Sequence, residues 1–414
     1  MRSIPHLGTR IWSLLDQVCF SAANFILVVC FARYYSDIEV SGYGIGLSIA
    51  LIIQSTQRNC YVVQNAVLAP VIFRRRARAV LGQHMVAWGW ILAAELLVFA
   101  VLLLVIPGDY AHAIIFSTFV CSLIYAQLDF DRIALAKHDR ILDAFYASLV
   151  FLALSGALFF LIPLWDIGFN VTMALVGGYA LLKIARLVMI VGRPEFSIGR
   201  RLAGRAFRKY LASAVLGVVG YSGHSHGPLF ILGSVAAPLH SAAFVAMRGL
   251  MQPLMVIIRS LDIIDKSLMQ AQGDKVPAGL RHAMLRQLAA YAVLCLCAIA
   301  ASALLGDYVI SLVYQDRYSG FDQLLTGWAV MFSLMAITFP IETVIVKLGR
   351  LVQFNRLRLL AGAAGLGLAV WLCPLMGAMG AIWACIGGTA VGVLCAAWIV
   401  RDVIFLRPLP VPMQ

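Results

Sequence analysis

Long apolar runs separated by short polar stretches set the pattern of this chain from end to end. Twelve runs reach the roughly 20 residues a helix needs to cross a hydrocarbon core of about 30 Å. They predict spans near 12–33, 42–63, 81–106, 110–131, 143–163, 168–190, 210–234, 239–263, 286–305, 322–346, 357–375 and 378–400. Lipid offers no partner for a bare peptide group, so runs of this length read as helices. The intervening stretches are too short to hold a soluble catalytic domain. The expected fold is therefore all-α, a polytopic membrane protein of about 12 transmembrane helices in two pseudo-symmetric six-helix bundles. The halves run in parallel at an offset near 200: SGYGIGLSIALIIQ from Ser41 faces SAAFVAMRGLMQPL from Ser241. Repeats with an even number of spans share one orientation and are related by an axis along the membrane normal.

Charge fixes the orientation. The stretch RPEFSIGRRLAGRAFRKY at 193–210 carries Arg193, Arg200, Arg201, Arg205, Arg208 and Lys209 against Glu195 alone. Lys and Arg are retained on the cytoplasmic side, so this loop is placed inside. The chain divides into an N-terminal bundle at 1–192, a basic cytoplasmic linker at 193–209, a C-terminal bundle at 210–400 and a cytoplasmic tail at 401–414. Alternation then puts most of the 32 Lys and Arg in the cytoplasm, with both termini inside and only Arg33 and Arg317 at the outer face. The N-terminus reads as a first span rather than a removed signal, having no small-residue cleavage site.

Composition agrees: 62% hydrophobic, 12% charged and a mean hydropathy of +0.91 exclude a soluble globular protein. A net charge of +13 would suggest nucleic acid in a soluble chain, but positive loops on one membrane face account for it, and no nucleic-acid partner is expected. The nine cysteines form no CxxC, and Cys295 and Cys297 point to different helix faces. Neither a disulfide framework nor a metal site follows, and no cofactor is expected.

Polar residues inside the spans carry the chemistry, because a charge at the bilayer centre costs about 2.5–3.5 kcal/mol on translocon scales. In the second span Gln54, Arg58, Tyr61 and Asn65 recur at i, i+4, i+7 and i+11, with Gln57 and Gln64 alongside. In the eighth, Arg248, Gln252, Met255, Arg259, Asp262 and Lys266 do the same beside Gly249 and Pro253. Each stripe predicts one polar helix face. The first span offers Gln17, Ser21 and Asn24, with Asp16 near its inner edge. The seventh offers Tyr221, His224 and His226 among four glycines, and the sixth Tyr179, Lys183 and Arg186. Lys183, Arg186 and Glu342 read equally as buried ion pairs or snorkelling side chains near the inner interface. Asp129 and Arg132 are spaced to pair at i, i+3. Glu95 and Glu342 read as ion-pair partners or as acids for a coupling cation.

These features together resemble the polysaccharide-export proteins of the multidrug, oligosaccharidyl-lipid and polysaccharide flippase (MOP) superfamily. The likeness rests on DQVCFSAANFILVVCFARYYSDIEVSGYGIGLSI (Asp16 to Ile49), with its Ala32–Arg33 pair and its Gly42-Tyr43-Gly44 element. It rests also on Gln57–Arg58 followed by Pro70, on Gln252–Pro253, and on LVYQDRYSG (Leu312 to Gly320), where Gln315 replaces the family's usual Gly. The resemblance implies two bundles around a central cavity and alternating access across a bacterial inner membrane. The cargo it implies is a lipid-linked oligosaccharide for exopolysaccharide, capsule or O-antigen synthesis, with polymerase and glycosyltransferases as partners. A prenyl-pyrophosphate headgroup is anionic and arginine's planar fork suits phosphate oxygens, which nominates Arg58, Arg248 and Arg259, with Lys183 and Arg186, as its ligands. Gln17, Asn24, Gln54, Gln57, Tyr61, Tyr221, His224 and Gln252 would line a wet path for the sugars. Rivals are a cation-coupled multidrug exporter of the same superfamily, which wants more acids, an unrelated sugar or ion carrier, and a membrane-embedded polymerase or glycosyltransferase. The last needs a large outer loop, and the longest here is about 16 residues around Asp307 to Asp322.

Overall fold

The computed structural model describes the backbone of residues 7–405 except 63–64, 66–69, 106–107 and 272–276. Side chains at 7–10, 70, 95–96, 98–109, 213, 260 and 263–280 also lie outside the description. Every regular element among the described residues is helical. The chain separates into two compact units, Met1–Val218 and Val219–Gln414.

The first unit holds α1 (Leu7–Tyr34), α2 (Asp37–Gln57), a π-helical turn (Arg58–Val62), α3 (Pro70–Arg75), α4 (Ala77–Val105), α5 (Gly108–Lys137), α6 (Ile141–Trp165), α7 (Phe169–Val191) and most of α8 (Phe196–Ser225). Ser36 starts α2 with a capping box: its hydroxyl accepts from the Glu39 amide while the Glu39 carboxylate accepts from the Ser36 amide. Two glycines of α2 then let α5 lie against it, since a Cβ on Gly42 would stand 2.6 Å from the Ala113 Cβ and one on Gly46 2.6 Å from the Thr118 nitrogen. Small residues at such crossings bring helices close where lipid supplies no hydrophobic drive.

The second unit holds the end of α8, α9 (Gly227–Val235), α10 (Pro238–Ala271), α11 (Pro277–Tyr314), α12 (Asp322–Lys347), α13 (Leu351–Met376), α14 (Ala378–Ile399) and α15 (Arg401–Ile404). Its outer core is pinned by buried aromatics. Trp328 Nε1 donates to the Phe244 carbonyl at 3.1 Å and the Tyr314 hydroxyl to the Ala246 carbonyl at 2.9 Å. Gln315, which stands where the resemblance has glycine, adopts φ 54° in the turn after α11, a left-handed conformation that costs a side chain more than it costs glycine.

Among the described residues ten helices are long and apolar enough to span a membrane: α1, α2, α5, α6, α7, α10, α11, α12, α13 and α14. With α4 and the α8–α9 segment they give the twelve expected from the apolar runs. The basic stretch expected as a loop is helical from Phe196 onward, so only 192–195 remain outside a helix. The seventh span, whose glycines permit close packing or a bend, breaks at His226, with Pro228 in the first turn of the helix that follows. Proline lacks an amide to continue the preceding ladder and suits a new helix start.

Candidate functional site

In the first unit the polar stripe of the second span is split by the π turn. An i→i+5 turn takes in one more residue than an α turn, so Tyr61 and Asn65 rotate away from the line through Gln54 and Arg58. Above the turn, Gln54 Nε2 donates to Asp129 Oδ2 at 3.2 Å, and Arg58 Nε lies 4.0 Å from the same oxygen. The Arg58 side chain is 64% exposed. Gln57, beside it, is buried with neither amide atom hydrogen-bonded. Below the turn, Tyr61 is buried and its hydroxyl meets His84 Nδ1 at 2.8 Å. His84 Nε2 meets Gln127 Oε1 at 2.6 Å while the ring stacks on Phe130. Because a Gln carbonyl only accepts, this pairing makes Nε2 the protonated nitrogen and Tyr61 the donor to Nδ1. Asn65 Nδ2 donates to Gln83 at 3.4 Å. Gln64 lies outside the described residues.

Two buried acids of this unit are paired with cations. Asp16, fully buried, accepts from Arg132 Nε at 2.6 Å and from the Ser148 hydroxyl. Asp131, also fully buried, lies 3.1 Å from Lys183 Nζ and 3.7 Å from Arg186 Nη2. The expected Asp129–Arg132 pair is thus replaced by two longer-range pairings, Arg132 to α1 and Asp129 to α2. Lys183 and Arg186 both converge on Asp131, and Arg186 Nη1 also donates to the Asp143 carbonyl. Asn24 is buried and satisfied, donating to the Phe20 carbonyl and accepting from the Tyr125 hydroxyl, both at 2.8 Å. Gln17 is half-buried. The side chain of Glu95 lies outside the described residues. At the turn after α5, burial and the neighbouring Arg74 and Arg140 hold the His138 imidazole below its usual range, against the pull of Asp139.

In the second unit Arg248 stands about 15 Å along α10 from Pro238, at the rise of 1.5 Å per residue. It is half-buried, with Nη1 3.4 Å from His226 Nδ1 and its guanidinium over the Trp328 ring at 5.5 Å. His226 therefore offers a lone pair toward a cation at the break between α8 and α9. His224 is turned the other way, its Nδ1 2.9 Å from the Gly220 carbonyl. Tyr221 packs under Arg358, whose Nη2 donates to Glu342 Oε1 at 2.6 Å. Along α10, Gln252 is half-buried and Arg259 exposed, while Met255 and Asp262 are buried. The stripe read from spacing is therefore interrupted, and the side chain of Lys266 lies outside the described residues. No group of three or more metal-ligating side chains gathers among the described residues.

Three groups were not singled out in the sequence: Asp131, Arg358 and the His84–Gln127 pair. Asp131 and Gln127 sit in an apolar run where the sixth-span cations signalled a missing acid, and the excess of base over acid in α7 was the usable clue.

No protein-family model matches the chain, and no curated protein matches it either. Solved structures do. Lipid II flippase MurJ in an inward closed conformation superposes with a TM-score of 0.66 at 11% identity, over 96% of this chain and 89% of that one. The eukaryotic MATE transporter AtDTX14 gives 0.57 at 13% identity, over 96% and 97%. An inward-facing multidrug resistance MATE transporter of the MOP superfamily gives 0.51 at 12% identity, over 96% and 94%. The fold is the one these solved transporters share.

Proposed function

We propose that this protein is a flippase of that fold which moves a lipid-linked oligosaccharide across a bacterial inner membrane by alternating access, for exopolysaccharide, capsule or O-antigen synthesis. The observation that carries the reading is the contrast between bases and acids. Asp16 and Asp131 are buried under cations, whereas Arg58 keeps 64% of its side chain exposed inside a span and Arg259 is exposed as well. A charge left accessible at membrane depth is tolerated where water or a charged ligand meets it. Arg58 is thus left open to a cargo in the first unit, and a pyrophosphate headgroup is its complement.

Arg58 stands 64% exposed at the start of the π turn in its span, open to a charged headgroup. Arg248, about 15 Å along its own helix from Pro238, is the corresponding cation of the second unit. Lys183 and Arg186 serve as partners of Asp131 rather than as cargo ligands. Polar groups such as Gln57, with both amide atoms unpartnered, suit the hydroxyls of a sugar or the waters that replace them.

A cation-coupled multidrug exporter is the second reading, favoured by the likeness to a multidrug resistance MATE transporter. Organic cations want an open carboxylate, and Asp16 and Asp131, the buried aspartates among the described residues of the first unit, are closed by Arg132 and Lys183. Replacing Arg58 and Arg248 singly by Ala and by Lys, and measuring polysaccharide export at matched protein level, separates the two. Lost export on alanine substitution supports the glycan reading, and full export by both alanine variants removes it.

A further inference from the structure

The basic stretch at 193–210 needs only its charges to hold one side of the membrane, yet the structure also fixes their arrangement. Gly82 of α4 and Gly199 of α8 meet so closely that a Cβ on Gly199 would come within 2.3 Å of the Gly82 carbonyl carbon. The Glu195 amide donates to the Arg78 carbonyl at 3.0 Å, and Arg78 Nε to the Arg193 carbonyl at 3.1 Å. Gly199, Ala203 and Ala206 recur at i, i+4 and i+7, and all three are buried, with Ala203 and Ala206 packed among Cys60, Tyr61, Val62 and Ala87. Arg201, Arg205, Arg208 and Lys209 recur at i, i+4, i+7 and i+8, on the opposite face by helical period, and all are exposed. Only Glu195 opposes them within the stretch.

Apolar side chains stand among these charges. Phe196 and Ile198 are exposed at the start of α8, and Val71 and Ile72 are exposed on α3 beside Arg74, Arg75 and Arg76. Water alone does not reward exposing Phe and Ile next to arginines. A bilayer surface rewards both, the apolar groups at the acyl boundary and the cations among the phosphates.

We propose that the docked first half of α8 is a binding surface for the phosphate headgroups of anionic phospholipids in the leaflet it faces. Its rigid seating on Gly82 presents the cations as a row rather than as a diffuse cloud. This surface is independent of the transported cargo.

The test uses the full-length protein in nanodiscs of phosphatidylcholine mixed with phosphatidylglycerol, which contain no glycan lipid. Native mass spectrometry reads which lipid is retained. Wild type is expected to enrich phosphatidylglycerol. The quadruple variant R201Q/R205Q/R208Q/K209Q should lose that enrichment by about tenfold, given the attraction of anionic lipid for each juxtamembrane cation, while R201K/R205K/R208K keeps it within about twofold. Enrichment by wild type should also collapse between about 0.01 M and about 1 M salt, as the Debye length shrinks from about 30 to about 3 Å. This arm needs no variant. Equal retention of the two lipids by wild type, enrichment insensitive to salt, or unchanged enrichment in the glutamine variant overturns the proposal. So does displacement of phosphatidylglycerol by free pyrophosphate, which would assign the row to a soluble anion.

Discussion

Replacing Arg58 by alanine separates binding from folding more sharply than any other single change. The guanidinium lies 4.0 Å from Asp129 with 64% of its side chain exposed. Two unit charges at that distance attract by about 1 kcal/mol in a water-like medium and about 4 kcal/mol at an effective dielectric of about 20. Exposure puts this pair near the first limit, where measured ion pairs contribute about 0–1 kcal/mol. Arg58→Ala should therefore lower the unfolding midpoint of the purified protein by no more than about 4 °C. Function should respond on another scale. A hydrogen bond to a charged group contributes about 1.5–3 kcal/mol, so loss of the phosphate contact predicts export reduced by about 10- to 100-fold. Arg58→Lys keeps the charge but not the planar fork, and should fall between. The assay is cell-surface polysaccharide in a strain lacking its own copy, with membrane protein quantified in parallel. Full export by Arg58→Ala at normal protein level refutes the reasoning, as does a large fall in midpoint that accounts for lost export by unfolding.

Other sites should behave in the opposite way. Lys183→Ala leaves Asp131 buried with only Arg186 near it and should cost about 3–5 kcal/mol, read as loss of folded protein. Lys183→Met combined with Asp131→Leu should recover most of it, and failure of the double variant to do so would indicate a role beyond pairing. Gly223→Val brings a Cβ to within 2.8 Å of the Gly362 backbone, where neither helix has a side chain to yield, so thermal stability should fall well below that of Gly178→Ala, which meets nothing within 4 Å. His138 is held below its usual range, so under acid conditions the unfolded chain takes up a proton that the native state refuses. Stability should decline as pH falls through the ordinary imidazole range near about 6.5 and continue falling until the native ring itself protonates. His138→Gln should flatten that slope in a melting series between about pH 7 and about pH 5.

The spans were legible because an apolar run of the right length has one stable outcome in lipid; several edges match within a few residues, but α8 begins at Phe196 where 210 was expected and α11 runs to Tyr314 where 305 was expected. Less legible was anything set by backbone geometry or by distant pairing. The π turn at Arg58–Val62 leaves no mark in a hydrophobic pattern, yet it decides that Arg58 is exposed while Tyr61 is buried on His84. Local spacing suggested Asp129 with Arg132, but each found a better partner on another helix. The basic stretch looked like a loop because it is charged and holds two glycines. Gly199 instead lets α8 begin early by seating it on Gly82. Arg248 was legible as a buried cation, and its neighbours His226 and Trp328 were not, since they come from other parts of the chain.

The role proposed for the exposed arginines is to hold a phosphate-bearing glycan lipid in transit. Its most direct test is transfer of a prenyl-pyrophosphate-linked oligosaccharide between leaflets of liposomes containing the purified protein, read by a lectin or glycosidase added from outside. The account predicts protein-dependent appearance of the sugar in the accessible leaflet, strongly reduced by Arg58→Ala. Transfer no faster than in protein-free liposomes, or equal for wild type and Arg58→Ala, would contradict it.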